Sequence, residues 1–224
     1  MEKIEINRNE VLRYLGYKNQ EIDNITNNLI DESIEEIRDL MEGKYVYKFF
    51  KIDKGKGFLL EGTNFKLPGQ DIKSHLTDAD SCIIMGVTLG HKVDRAIRYY
   101  GKVSMAKAMI LDACASTAIE EICDKVNEDL LKSVKADNRI LTSRYSPGYG
   151  DLTLDIQESI LDILEAKRSI GLSATLHNIL IPRKSVTAIM GIVNETYEKA
   201  QPSCIGCPQY DDCSYRKGGG TCGY

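Results

Sequence analysis

Ser81-Cys82-Ile83-Ile84-Met85-Gly86-Val87-Thr88-Leu89-Gly90 is a nearly unbroken apolar run that ends in glycine. Its length and its content of β-branched residues read as a strand, and the absence of alternation means that both faces of that strand are buried. A strand of this kind must lie inside a sheet and be covered on both sides. The flanking segments supply the cover. Ile22, Ile25, Leu29, Ile34, Ile37 and Met41 recur at near-helical spacing, which predicts a helix from about Asn19 to Glu42 with its acids and amides facing water. Val93, Ile97 and Tyr100 mark one helix between His91 and Lys132; Met105, Met109, Ala113, Ile119, Ile122 and Val126 mark a second, longer one. Small residues crowd its middle and allow another element to approach closely. The expected class is α+β, a sheet flanked by helices.

Further elements follow from local signals. Asn7 with Glu10 three positions on makes a capping box for a short helix through Val11, Leu12 and Leu15, stopped by Gly16. From Tyr45 to Ile52 and from Phe58 to Leu60 the chain is rich in aromatic and β-branched residues, and the Lys54-Gly55-Lys56-Gly57 turn between them predicts a hairpin. Leu67-Pro68-Gly69 breaks the chain, and Ile72 to Leu76 is a short helical or irregular link. Ile156, Ile160, Ile163 and Leu164 predict a helix from about Thr153 to Ser169. Strands are expected near Leu176 to Ile181 and Val186 to Val193.

At 224 residues the chain is long enough for one substantial core with an appendage. Its net charge of −4, with no concentrated basic run, argues against nucleic acid as a partner. No apolar run approaches bilayer-spanning length, and Glu2, Lys3 and Glu5 stand where a secretory signal would be apolar. The expectation is a cytoplasmic protein without a membrane partner, in which the seven cysteines stay reduced. Cys82, Cys114 and Cys123 fall on the buried strand and the long helix and read as inert small hydrophobes.

Two segments carry chemistry. The first is Arg144-Tyr145-Ser146-Pro147-Gly148-Tyr149-Gly150-Asp151, between a strand-like and a helix-like segment. Pro147 fixes one φ angle and Gly148 permits a positive one, so the backbone turns tightly and can approach a small molecule. Arg144 offers a guanidinium fork for a carboxylate or phosphate; Tyr145 and Tyr149 offer flat faces with hydroxyl handles. By itself, the octapeptide is equally compatible with an ordinary surface loop. His91 and His177 read as satisfied residues, with no triad in sight.

The residues after the loop sharpen the reading. Ile160 to Glu165 with Gly171-Leu172, then Leu176 to Pro182, then Lys184-Ser185-Val186-Thr187-Ala188 and Gly191 follow in order. Together with the loop, this succession resembles the activation domain of cobalamin-dependent methionine synthase. That family's pattern is an Arg-x-x-Pro-Gly-Tyr loop, an amphipathic helix ending at glycine, a short strand ending near proline and a Ser-Val strand. The match covers about one quarter of the chain, and Met109 through Val126 looks like the family's long helix before the loop.

The resemblance implies a mostly antiparallel, twisted sheet and an S-adenosylmethionine site. Arg144 would take the methionyl carboxylate, the Ser146 to Tyr149 backbone the ligand's polar edges, and Tyr149 the adenosyl group or the corrin face. A sulfonium and an ammonium call for inward carboxylates, for which the long helix supplies Glu120 and Glu121, or Ser116 in a shifted alignment. The family's paired tyrosines after the Ser-Val strand are missing: the corresponding stretch is Ile189-Met190-Gly191-Ile192-Val193, with Tyr197 later.

The second segment is Cys204-x2-Cys207-x5-Cys213-x8-Cys222, set among Gly, Pro, Asp and Tyr after Pro202. Nothing there could form a core, so a bound metal would fold it. Four thiolates suit tetrahedral zinc or an iron-sulfur cluster; the spacing matches neither a zinc ribbon nor a common ferredoxin run. The iron-sulfur cluster is preferred because the resembled function consumes an electron, and a metal-free tail is the remaining alternative.

The expected organisation is an N-terminal helical segment (1–44), an activation-like domain (45–200) and a Cys-rich metal-binding tail (201–224). The expected function is a stand-alone reactivation module. It would hold S-adenosylmethionine for reductive methylation of cobalamin on a partner, a methionine synthase or another corrinoid protein. Flavodoxin or ferredoxin would donate the electron, and the chain would have no activity in isolation. The competing expectation is a metal-cluster electron carrier or adaptor on the same scaffold that does not bind S-adenosylmethionine, or a structural protein whose tail holds zinc.

Overall fold

The computed structural model describes residues 4–18 and 20–196. Their fold lies in one compact unit, Met1–Asn194, and Glu195–Tyr224 fall into a second. The cysteine tail, Tyr197 and Pro202 lie outside the described residues.

β3 (Ser81–Thr88) is the buried run, and it is the middle of a five-stranded sheet. The order is β2 (Leu59–Leu60), β1 (Lys44–Asp53), β3, β7 (Ser185–Asn194), β4 (Arg139–Leu141), with every neighbouring pair antiparallel. The expected α+β class with an antiparallel sheet is the observed one. Alternate residues of β3 meet different layers. Ile83, Met85 and Val87 enter a core shared with Ala188, Met190 and Ile192 of β7 and with α1 (Arg8–Tyr14), α2 (Asn24–Leu40) and α5 (Met105–Lys135). Gly86 points the other way, where a Cβ would meet Leu164 and Leu172 at 3.3 and 3.5 Å; α6 (Gln157–Leu164) covers that face closely because this residue has no side chain.

The helices begin where polar caps allow. Asp23 caps α2 by accepting from the Thr26 amide at 2.9 Å, so that helix starts at Asn24, later than its apolar spacing suggests. Asn7 caps α1 through the Asn9 amide, but Glu10 turns to Arg13 at 2.7 Å and does not close the expected box. α4 (His91–Val103) and α5 meet at Ser104, and α5 then runs for 31 residues beside the sheet. α1 and α2 pack on α5, so the N-terminal helices and the sheet share one core.

One open element expectation is settled and two are revised. Ile72–Leu76 resolves into a short helix, α3 (Asp71–His75). The single helix expected over 153–169 is a 3-10 turn followed by α6 and α7 (Ala166–Ser169), broken where Glu165 takes φ 52°. The strand expected from Leu176 shrinks to β6 (Leu180–Ile181), paired with β5 (Ser173–Ala174) outside the main sheet; Leu176 is fully exposed on the connecting turn.

Candidate ligand site

Arg144 is positioned by a bulge at the edge of the sheet. After β4, the Thr142 amide donates to the Gly191 carbonyl, and Tyr145 then exchanges two 2.9 Å hydrogen bonds with Ile189. Ser143 and Arg144 therefore oppose Met190 alone, one residue more than the ladder accommodates. Such a bulge bends the strand and re-aims a side chain.

The guanidinium is directed onto α5. It donates to Asp124 Oδ1 at 2.6 Å and to Glu120 Oε2 at 2.9 Å, with the Arg144 side chain 20% exposed, Glu120 45% and Asp124 63%. Burial disfavours the Arg144 charge, but the Asp124 hydrogen bond and the neighbouring Asp124 and Glu120 charges outweigh it and hold its pKa above the ordinary value. Two residues expected at a ligand, Arg144 and Glu120, are thus together, but in an ion pair with each other.

Sequence reasoning did not single out Asp124 or the wider pattern. Asp112, Ser116, Glu120 and Asp124 recur every fourth residue and form one stripe along α5. At its other end Lys184, which precedes β7, donates to Asp112 Oδ1 and Ser116 Oγ, both at 2.9 Å. Glu120 and Ser116, alternatives in the sequence, sit one turn apart and serve different cations. The i, i+4 spacing was the available signal. Glu121 stays outside the stripe; burial pushes its carboxyl above the ordinary range, and the Asp124 charge adds to this.

The rest of the loop is held from within. The Gly148 amide donates to Leu152 O at 2.7 Å and the Tyr149 amide to Ser146 O at 3.1 Å, so two of the donors expected to meet a ligand are already used. Ser146 keeps an unpaired backbone N–H among the described residues, and Pro147 is buried. Asp151 accepts from the Gln70 and Asp71 amides at 2.5 and 3.1 Å, and Asp71 accepts from the Asp151 amide at 3.1 Å. The Gln70 and Asp71 hydrogen bonds draw the Asp151 carboxyl below the usual range. This reciprocal clasp ties the loop to the start of α3.

Aromatic residues line the loop's outer side. His75 and Tyr145 have centroids 5.2 Å apart, and Tyr145 meets Tyr149 edge-on at 6.0 Å; Tyr149 is 51% exposed. His75 was overlooked in the sequence. Its Nε2 lies 2.9 Å from Thr142 Oγ1 and 3.0 Å from Ser143 O, and burial lowers its pKa against the opposing effect of the Ser143 carbonyl. Burial raises the Tyr145 hydroxyl, with the Asp71 and Asp151 charges in the same direction.

His91 is exposed at the first position of α4 and His177 is exposed on the Thr175–Asn178 turn. Ile189 and Met190, where the resembled family has tyrosines nearby, are wholly buried. Cys82, Cys114 and Cys123 are buried, and burial pushes each thiol up to about 12. Among the described residues no group of three or more His, Cys, Asp or Glu side chains could hold a metal ion, and no helix is long and apolar enough to cross a membrane.

Clefts among the described residues include three near these elements, and the linings of these three do not contain the Arg144 loop. One of about 420 Å³ lies between α1, α4 and α5 and reaches Asp112 and Ser116; one of about 360 Å³ adjoins it at Ile97 and Asp112 and is lined by Arg98, Arg183 and Lys184. An open acidic groove of about 760 Å³ runs along α2.

No family model matches the chain, and no curated protein matches it. Among solved structures, it is similar to the crystal structure of the MetH reactivation domain bound to AdoHcy. The TM-score is 0.58 and the identity 13%, over 94% of this chain and 80% of that one. At this identity the likeness establishes a shared fold, an antiparallel sheet with helices in the same arrangement.

Proposed function

We propose that this chain binds S-adenosylmethionine at Arg144 and serves as a reactivation module for a cobalamin-dependent methyltransferase carried on a separate protein. The supporting observation is the seating of Arg144. A bulge aims the one guanidinium of the Arg-x-x-Pro-Gly-Tyr loop at two α5 carboxylates, within a fold shared with a reactivation domain.

That cluster suits the amino-acid end of the ligand. A zwitterion brings one carboxylate and one ammonium. Its carboxylate takes the Arg144 fork, and the displaced Glu120 or Asp124 receives the ammonium, so no charge is left unpaired. Both acids are substantially exposed, and exchange of such pairs costs about 1 kcal/mol or less. Tyr149 presents its exposed face to the nucleoside, and Ser146 contributes its unpaired N–H. Bound S-adenosylmethionine supplies the methyl group, and the corrinoid and the electron come from partners. This chain contributes binding and orientation.

Cys204, Cys207, Cys213 and Cys222 belong to the proposal as the ligands of an iron-sulfur cluster or zinc, with the former passing the electron from a flavodoxin- or ferredoxin-like donor. The second reading, a metal-cluster adaptor that does not bind S-adenosylmethionine, is favoured by Arg144 being already paired and by the missing tyrosines. The test is anaerobic reactivation of a methionine synthase holding oxidised cobalamin, with an electron donor and S-adenosylmethionine, with and without this chain. Recovery that requires the chain and fails with Arg144→Ala supports the proposal. Recovery equal in its absence, or unaffected by the substitution, rejects it.

A further inference from the structure

The two adjoining clefts at the Lys184 end of α5 combine surfaces of opposite character. The larger is lined by Tyr14, Ile97, Met105, Ala108 and Met109, of which Tyr14, Met105 and Met109 are 44%, 64% and 61% exposed. A tyrosine ring, which carries the Arg13 guanidinium over it at 4.6 Å, and two thioethers supply polarisable groups suited to an aromatic body. The smaller cleft holds Arg98, Arg183 and Lys184 against Asp94 and Asp112.

The acids are already committed. Asp94 accepts from the Arg183 and Lys184 amides at 2.6 and 3.4 Å, and Asp112 pairs with Lys184 at 2.9 Å. Neither the Arg98 nor the Arg183 guanidinium makes an ion pair among the described residues. Arg98, Arg183 and Lys184 against Asp94 and Asp112 leave the cleft with one net positive charge, carried by guanidinium groups that make no ion pair among the described residues.

The geometry points to a binding site for a mononucleotide-like anion, with its planar apolar body in the Tyr14–Met109 cleft and its phosphate at Arg98 and Arg183. Each cleft alone is within the size range of small-molecule sites, on the order of 300–1,000 Å³. Planar guanidinium groups bind phosphate through paired hydrogen bonds. The site adjoins the Arg144 cluster without sharing its residues: Ser116 in the lining of the larger cleft lies one turn before Glu120, and Asp112, which both clefts share, lies eight residues before it, about 12 Å along the helix. It does not depend on S-adenosylmethionine binding at Arg144.

Titration calorimetry on the full chain with adenosine monophosphate, adenosine and inorganic phosphate tests this. The expected result is saturable binding of the monophosphate, at least tenfold weaker binding of adenosine and of phosphate, and at least a tenfold loss in Arg98→Ala/Arg183→Ala. Met109→Glu should weaken the monophosphate without improving phosphate. Arg98 and Arg183 are exposed, so the double variant should fold, and its thermal midpoint should stay within a few degrees of wild type. No binding of the monophosphate, equal affinity for adenosine, or wild-type affinity in a folded double variant would overturn the site.

Discussion

At the residue scale the account rests on Arg144, which stood out in the sequence as part of a local Arg-x-x-Pro-Gly-Tyr pattern. What it touches was not. Glu120 and Asp124 precede it by 24 and 20 residues, and only the bulge brings them within reach. Glu120→Gln/Asp124→Asn should leave the guanidinium unpaired in a part-buried setting and lower the thermal midpoint by a few degrees, corresponding to about 1–2 kcal/mol. His75 gives a pH prediction. Its folded pKa lies below the unfolded value near 6.5, so the unfolded chain takes up a proton first and stability falls as the pH drops below about 6.5. Denaturant unfolding at pH 7.5 and pH 5.5 should show a loss that is smaller in His75→Gln. An equal loss in that variant would assign the effect to other groups.

At the element scale the long periodic segments were readable and the interruptions were not. β3 announced its double burial through an apolar run, and α5 its length through sustained spacing, because both patterns are imposed by the core. The break at Glu165 is a single left-handed residue between Leu164 and Ala166, both buried; the apolar spacing runs through it unchanged, so no signal marks it. The apolar Leu176-to-Ile181 stretch misled for the opposite reason. Thr175 accepts from the His177 and Ile179 amides through its hydroxyl, and Asn178 takes φ 59°, which turns Leu176 into solvent. The clasp between the loop and α3 depends on Gly150, at φ 50°, where a Cβ would run into the Asp71 carboxylate and the Tyr145 hydroxyl. Gly150→Ala should therefore cost about 1–3 kcal/mol in chemical denaturation. Gly86→Val should cost a similar amount, about 1–3 kcal/mol, by pushing α6 off the sheet. Wild-type stability in either would show that the neighbouring elements yield freely.

At the scale of the whole molecule, a buried central strand places helices on both faces, and the sheet edge then carries a loop whose cation faces the longest helix. The sequence resemblance covered about a quarter of the chain, yet the shared fold extends over 94% of it, because core positions accept many apolar residues while the arrangement of layers persists. The central proposal is that Arg144 exchanges one of its α5 carboxylates for the single carboxylate of S-adenosylmethionine. Calorimetric titration of S-adenosylmethionine into wild type and Arg144→Ala tests it most directly. Wild type should bind one equivalent, and the variant should bind ten- to a hundredfold more weakly, the loss of a charged hydrogen-bonded pair worth about 1.5–3 kcal/mol. No binding by wild type, or equal binding by both, would contradict it.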